Sequence, residues 1–363
     1  MNNRLNISFV LAFSFFGTVT SCNSNQKSTL QLETVLKPAI ITDTVRFDSD
    51  DPAIWVNRQN PGESLILGTD KMEAEGALFV FDLKGKIIDS LVVDSLDRPN
   101  NVAVAYDVSA GNKTLDIAIV TERINGQLRI FSLPDMQPVD GGGVTVFGNE
   151  PNHNLVMGVA VYQPVNADST YVVVSRKSSP DNSRYLHQYL LTYDSNTESF
   201  TAELARKFGR FEGSTEIEAI AVDNRLGYVY YSDEGYGIRK YFAEPDKGNQ
   251  ELAVFGTDEF TEDREGIAIY SETDSTGYII VSDQQGGKLN IYPREGSSEN
   301  PHNHQLVTKI NYNAVSTDGI EVANESLNEM FPKGILIAMS ENKTFEIYNW
   351  QSIRELMSGS SIP

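Results

Sequence analysis

One pattern recurs six times along this chain, and it leaves few folds open. Short β-rich runs ending in a charged or polar pair occur as SLILGTDK (64–71), LDIAIVTER (115–123), TYVVVSRK (170–177), GYVYYSDE (227–234), GYIIVSDQ (277–284) and GILIAMSE (334–341). Their ends lie 52, 54, 57, 50 and 57 residues apart, the span of one propeller blade.

Each unit opens with a second recurring strand: DPAIWV (51–56), NVAVAYD (101–107), MGVAVY (157–162), EAIAVD (218–223), EGIAIY (265–270) and DGIEVA (318–323). A third follows the polar pair, as in GALFVFDL, GQLRIFSL and GKLNIYPR, and a more variable fourth closes the unit, as in KIIDSLVV and GVTVFG. Gly, Asn and Asp punctuate the joins, so each unit reads as a four-stranded antiparallel meander. The sixth unit stops near Trp350, followed only by SIRELM, while residues 32–46 form a β-prone stretch ahead of the first unit. The two leftovers complement each other. An N-terminal strand that completes the last blade closes the ring and leaves no open edge. The fold predicted is all-β, a single six-bladed β-propeller over residues 32–355. A pair of β-sandwiches explains the six-fold spacing less well.

In an antiparallel blade, the turn leading into the first strand and the loop joining the second to the third lie at the same end. Two columns of residues therefore share one face of the disc. The first column reads Asp51, Asn100, Met157, Glu218, Glu265 and Asp318, with further oxygen donors beside it at Asp50, Asn101, Glu216 and Asp263. The second reads Lys71, Arg123, Lys177 with Arg176, then Asp233 and Glu234, Asp283 and Gln284, and Glu341. Cations come from units one to three and carboxylates crowd units four to six, so a basic arc is expected to face an acidic one. Crowded carboxylates repel unless protonated or shared by a cation. Hard divalent ions, calcium above all, take six to eight oxygen ligands and suit such a set. Lys and Arg beside the cluster can hold anionic oxygens, a combination that phosphate ester hydrolysis needs. The bland alternative is that these acids are turn-capping residues and the cations surface charges. Trp55, Trp350 and the aromatics of the third strands read as core.

The chain has 363 residues, a formal charge of −21 and one cysteine. A single cysteine excludes an internal disulfide and zinc sites built from paired thiolates. The acidity argues against nucleic acid as a partner, since phosphate backbones are held by basic surface. Catalytic signatures of other kinds are missing: there is no G-x-S-x-G, P-loop or H-E-x-x-H, and the four histidines show no ligand spacing. Arg4 and the apolar run from Ile7 to Thr20 suit a secretory signal, and Val19-Thr20-Ser21-Cys22 resembles a bacterial lipobox. Residues 1–21 are thus read as a lipoprotein signal peptide, Cys22 as the lipidation site and 22–31 as a polar tether. The expectation is an exported, monomeric lipoprotein of the cell envelope, in the periplasm or at the outer membrane surface, touching the membrane only through its anchor.

Several segments resemble the β-propeller phytases, the alkaline, calcium-dependent phytases of bacteria. They are Asp50-Asp51-Pro52-Ala53-Ile54-Trp55-Val56, the run from Gly76 to Lys86, Asn100-Asn101-Val102, Tyr241 to Asp246, Asp263-Arg264-Glu265-Gly266 and Thr317-Asp318-Gly319-Ile320. The resemblance runs in order from about residue 40 to residue 355. It implies a six-bladed propeller that binds several calcium ions and hydrolyses phytate, myo-inositol hexakisphosphate, or its calcium complex. Adjacent cleavage and affinity sites would hold neighbouring phosphates, and a calcium-bridging water would attack phosphorus. By motif position, Lys71, Arg123 and Lys177 look like phosphate-binding cations, with Arg176 beside them. Asp51, Glu218, Glu234, Asp263, Glu265 and Asp318 look like calcium-linked carboxylates, joined by Asp50 and Asn100. The catalytic set implied is Lys71, Arg123, Lys177, Glu218 and Glu234.

The chain departs from the family pattern at three places. Met157 stands where a tyrosine often contacts phosphate, Ala103 where a second acid often follows the Asn-Asn pair, and Asn311-Tyr312-Asn313-Ala314 where an acidic ligand is expected. These departures bear on the affinity site and one calcium site. A different metal-dependent propeller hydrolase of lactonase type, or a non-catalytic surface propeller, are the alternatives that the fold alone leaves open.

Overall fold

The computed structural model describes residues 34–359 apart from 149 and 151. The expected signal peptide, the Cys22 lipidation site and the expected tether lie outside the described residues. After strand β1 (Ile40–Ile41) the chain lays down its blades in order. The first comprises β2 (Ser49–Trp55), β3 (Leu65–Asp70), β4 (Gly76–Phe81) and β5 (Val93–Leu96). The second comprises β6 (Pro99–Ala110), β7 (Lys113–Glu122), β8 (Gln127–Leu133) and β9 (Val144–Thr145). The third has β10 (Val156–Tyr162), β11 (Thr170–Arg176), β12 (Leu186–Asp194) and β13 (Ser199–Phe208). The fourth has β14 (Ile220–Asp223), β15 (Tyr228–Asp233), β16 (Gly237–Phe242) and β17 (Ala253–Phe255). The fifth has β18 (Arg264–Ser271), β19 (Gly277–Asp283), β20 (Lys288–Pro293) and β21 (Thr308–Asn311). The sixth holds β22 (Ile320–Ala323), β23 (Ile335–Ser340) and β24 (Thr344–Asn349), with β1 paired antiparallel to β24 as its fourth strand. The ring therefore closes as the two leftovers predicted, and SIRELM lies within the terminal helix α1 (Trp350–Met357).

One element differs from the sequence reading. The fourth strand of the first blade starts only at Val93, because Asp89–Leu91 winds into a 3₁₀ turn and Ile87 makes just a single bridge to Phe81.

Both faces of each blade are covered by its neighbours, which explains why the second strands read as continuous apolar runs. Each seam holds its own apolar cluster. Leu65 and Leu67 of β3 pack toward Val102, Ala118 and Val120 of the second blade, while Ile66 between them packs toward Ile337 and Phe345 of the sixth. The closing seam is tight: a Cβ on Gly68 would stand 2.2 Å from the Phe345 ring. Trp55 and Trp350 are both buried, as expected of core residues.

Candidate active site

A repeated backbone device builds the face. At the start of the first strand in blades one, two, three and five, the register slips so that two residues oppose one. These are β-bulges, which re-aim side chains. The bulged pairs are Asp50-Asp51, Asn100-Asn101, Met157-Gly158 and Glu265-Gly266. The residue opposite each pair is a hydroxyl: Thr69, Thr121, Ser175 and Ser282 accept from Asp51, Asn101, Gly158 and Gly266 N–H at 2.8–2.9 Å. Three hydroxyls of this column also donate across to the next blade, Thr69 to Asn100 O at 2.7 Å, Ser175 to Ile217 O at 2.6 Å and Ser232 to Arg264 O. In blades one, three and four the Thr or Ser before the polar pair is thus a joint to the next blade. Gly158 allows the closest approach, since a Cβ there would fall 1.8 Å from the Glu218 carbonyl oxygen.

The polar pairs divide in two, because successive residues of a strand point to opposite sides. First members turn inward and hold loops. Asp70 accepts from the N–H groups of Arg46, Phe47 and Asp48, Asp233 from Glu212 and Gly213, and Asp283 from Thr261 and Gly286. Arg176 is a first member with the charge reversed. It is 1% exposed and donates to Glu150 Oε2 at 2.5 Å, to Ser179 Oγ at 2.7 Å and to Arg184 O at 2.9 Å. It is thereby committed to the blade interior and is not presented to a ligand as the sequence reading has it. Second members, Lys71, Arg123, Lys177, Glu234 and Gln284, stand toward the site.

Three glutamates converge at its centre. Glu218, Glu234 and Glu265 are buried, and one carboxylate oxygen of each lies within 4.8 Å of the others. Burial and the charge of Glu218 push the Glu234 carboxyl up to about 9. Glu265 is held well above the usual range by burial and by Glu234, and Glu218 is raised by burial and by Glu216. Asn100 Nδ2 bridges the trio to the first blade, donating to Glu218 Oε1 at 2.6 Å and to Asp50 Oδ2 at 3.2 Å.

The cations do not form an arc apart from the acids, as the columns suggested. Each is pinned by carboxylates. Lys71 Nζ sits 3.2 Å from Asp50 Oδ1 and 2.5 Å from Asp318 Oδ2. Despite its burial, those charges hold its ammonium pKa above the usual lysine range. Lys177 and Arg123 share Glu216 Oε2, the guanidinium at 3.7 Å. Gln284 Nε2 donates to Asp318 Oδ1 at 2.6 Å, and Gln285 Nε2 to Asp263 Oδ2 at 2.9 Å. Glu216 and Gln284, named only by their place in or beside the columns, belong to this network, and so does Gln285, which the columns do not contain.

Asp51 points elsewhere than its neighbour Asp50. It lines the central channel, a cavity of about 180 Å³ shared with Asn101 and Glu321, and accepts from Val102 N–H at 3.0 Å. Burial raises it well above the usual range and raises Glu321 to about 7. Ala103 lines the same channel. Met157 is fully buried, and Glu341 is exposed. Neither stands with the charged network.

The donors fit a hard divalent cation. They are all oxygen, and the trio cannot stay ionised together without positive charge. Two buried oxygens beside it, Glu234 Oε1 and Asn100 Oδ1, have no hydrogen-bond partner. Such atoms are costly unless a ligand satisfies them.

The sequence profile of the phytase family matches residues 6–359. Over 326 residues, covering 85% of this chain and 80% of the relative, the chain is 28% identical to a 3-phytase of Bacillus subtilis (strain 168). Among solved structures, the WD40 repeats of RRP9 superpose with a TM-score of 0.50 over 87% of this chain and 99% of theirs. At 10% identity, that likeness concerns the fold alone.

Proposed function

This chain belongs to the phytase family, and from that premise we propose that its charged face hydrolyses phosphomonoesters of phytate with calcium held at Glu218, Glu234 and Glu265. The enzyme is a phytase, and inorganic phosphate is its product. The observation that carries the site assignment is the meeting of three cationic side chains from blades one to three with a buried glutamate trio from blades four and five.

Lys71, Arg123 and Lys177 receive the phosphoryl oxygens, Arg123 through its planar fork and the lysines as point charges. Asp50 and Asp318 fix the position of the Lys71 ammonium, and Gln284 fixes Asp318 in turn. Asn100 holds Glu218 and Asp50 at one spacing. When bound, calcium supplies positive charge to the phosphoryl oxygens and acidifies water in its reach. Asp263, half-buried beside Gln285, and Asp51 in the channel are the outlying carboxylates of the proposed metal set. Of the three departures, Met157 is withdrawn into the core, Ala103 lines the channel without a side-chain oxygen, and Asn313 donates to Glu346 at 2.8 Å.

Phosphate release from phytate, assayed with calcium and then with excess chelator, tests the reading. Release with calcium and none with chelator is the expected result. We also propose that residues 1–21 export the chain and that Cys22 carries the lipid that holds it in the cell envelope, while catalysis needs neither.

A further inference from the structure

Glu216 occupies the space between two of the three cations assigned to substrate. Its Oε2 accepts from the Lys177 ammonium and lies 3.7 Å from the Arg123 guanidinium. The three side chains are 20%, 39% and 11% exposed for Glu216, Lys177 and Arg123, so the seat opens to solvent. The backbone at this point is fixed on both sides. Glu216 N–H donates to Glu234 Oε2 at 3.2 Å, and Glu216 O accepts from Glu234 N–H at 3.3 Å. Movement is therefore left to the side chain alone.

A carboxylate offers two oxygens and one negative charge. A phosphomonoester offers three non-bridging oxygens and nearly two charges, and is the stronger partner for a lysine and an arginine together. On its other side Glu216 faces the trio, with Glu218 and Glu234 both within electrostatic reach.

We propose that Glu216 is an internal counter-anion that fills the phosphate seat between Arg123 and Lys177, and that phosphate binds by displacing it. This rests on the assignment of those two cations under the proposed function. Displacement makes the seat selective: an anion no better than a carboxylate gains nothing by entering. It also eases product release, because the returning carboxylate competes with inorganic phosphate for the same two donors.

The test is titration of the purified chain with inorganic phosphate in chelator, followed by calorimetry, for the wild type, Glu216→Gln, Glu216→Ala and Lys177→Ala. Both Glu216 variants should bind phosphate about three- to tenfold more tightly than the wild type, the range expected for freeing partly exposed charges. Lys177→Ala should lose saturable binding. Unchanged or weaker binding in the Glu216 variants overturns the inference, as does an absence of saturable binding in all four proteins. The phosphate titration does not depend on turnover. Tighter binding by the variants together with no phytate hydrolysis by the wild type would sink the functional reading and leave the seat, whereas hydrolysis with unchanged binding would sink the seat alone.

Discussion

Lys71 Nζ stands 2.5 Å from Asp318 Oδ2 although 247 residues of sequence separate the two. The contact crosses from the first blade to the last, and Asp50 completes it from the lysine's own blade. Lys71→Met removes a phosphate donor and leaves two carboxylates facing each other. We expect kcat/KM for phytate to fall by at least a hundredfold. Chemical denaturation of the metal-free protein should show a loss of about 1–3 kcal/mol, the cost of an unpaired, partly buried charge. A variant with full activity would remove Lys71 from the site.

Arg176 and Lys177 are neighbours with opposite tasks, and their substitutions should separate cleanly. Arg176→Ala empties a buried site and leaves Glu150 to Lys207 alone, and should cost about 2–3 kcal/mol of stability, while the KM of the folded fraction stays unchanged. Lys177→Ala should raise KM for phytate with little change in melting temperature. Paired melting curves and steady-state kinetics decide between these assignments.

The pH dependence of the metal-free protein follows from the trio. The Glu234 carboxyl titrates near 4.5 when free and near 9 in the fold. The folded state thus holds a proton that the unfolded state releases. The stability this group contributes is full below pH about 4.5 and is lost as pH rises toward 9. Melting temperature in chelator should therefore decline across this window, and Glu234→Gln should flatten the decline. A melting temperature that rises from pH 5 to 9 would contradict the burial of these groups.

On the proposed assignment, calcium should act on the same groups in the opposite sense. Binding to the folded state alone at a hundred times its dissociation constant adds about 2.7 kcal/mol. It should also release protons, measurable as a buffer-dependent enthalpy, because the trio must ionise to hold it. Magnesium, which prefers a smaller and stricter site, should stabilise less.

If Cys22 is lipidated, expression of the full chain should place phytase activity in the membrane fraction of a bacterial host. Cys22→Ser should move it to the soluble fraction with kcat unchanged. Equal partitioning of both proteins would dismiss the anchor.

The blades were legible because their second strands are buried on both faces, so that runs such as LILGTD and GYIIVSD stand out and repeat at nearly constant spacing. Ring closure was legible from what the first and last units lacked. The site was legible only to the level of columns. Column position could not separate Arg176 from Lys177, because alternate residues of a strand face opposite ways and the register is set by the bulge at Val156–Val159, which no spacing announces. Nor could it separate Asp50 from Asp51, which part company at the same kind of bulge. Glu216 was legible as an oxygen donor beside the first column, but its pairing with two cations escaped for another reason. Its partners, Arg123 and Lys177, belong to other blades, and a contact between side chains of three units leaves no trace in any one of them.

The closing strand has a consequence for when the enzyme becomes active. Ile40 pairs with Ile347 inside the sixth blade, and the Lys71–Asp318 contact joins that blade to the first. A chain emerging from synthesis carries Lys71 and all three glutamates of the trio long before Asp318 exists, and β24 must arrive before β1 has a place to pair. The full cation and anion network is therefore complete only when both ends of the domain have met. Activity in this architecture doubles as a certificate of completeness: a chain cut short before β24 keeps the residues of the network but leaves β1 without its partner and the ring open.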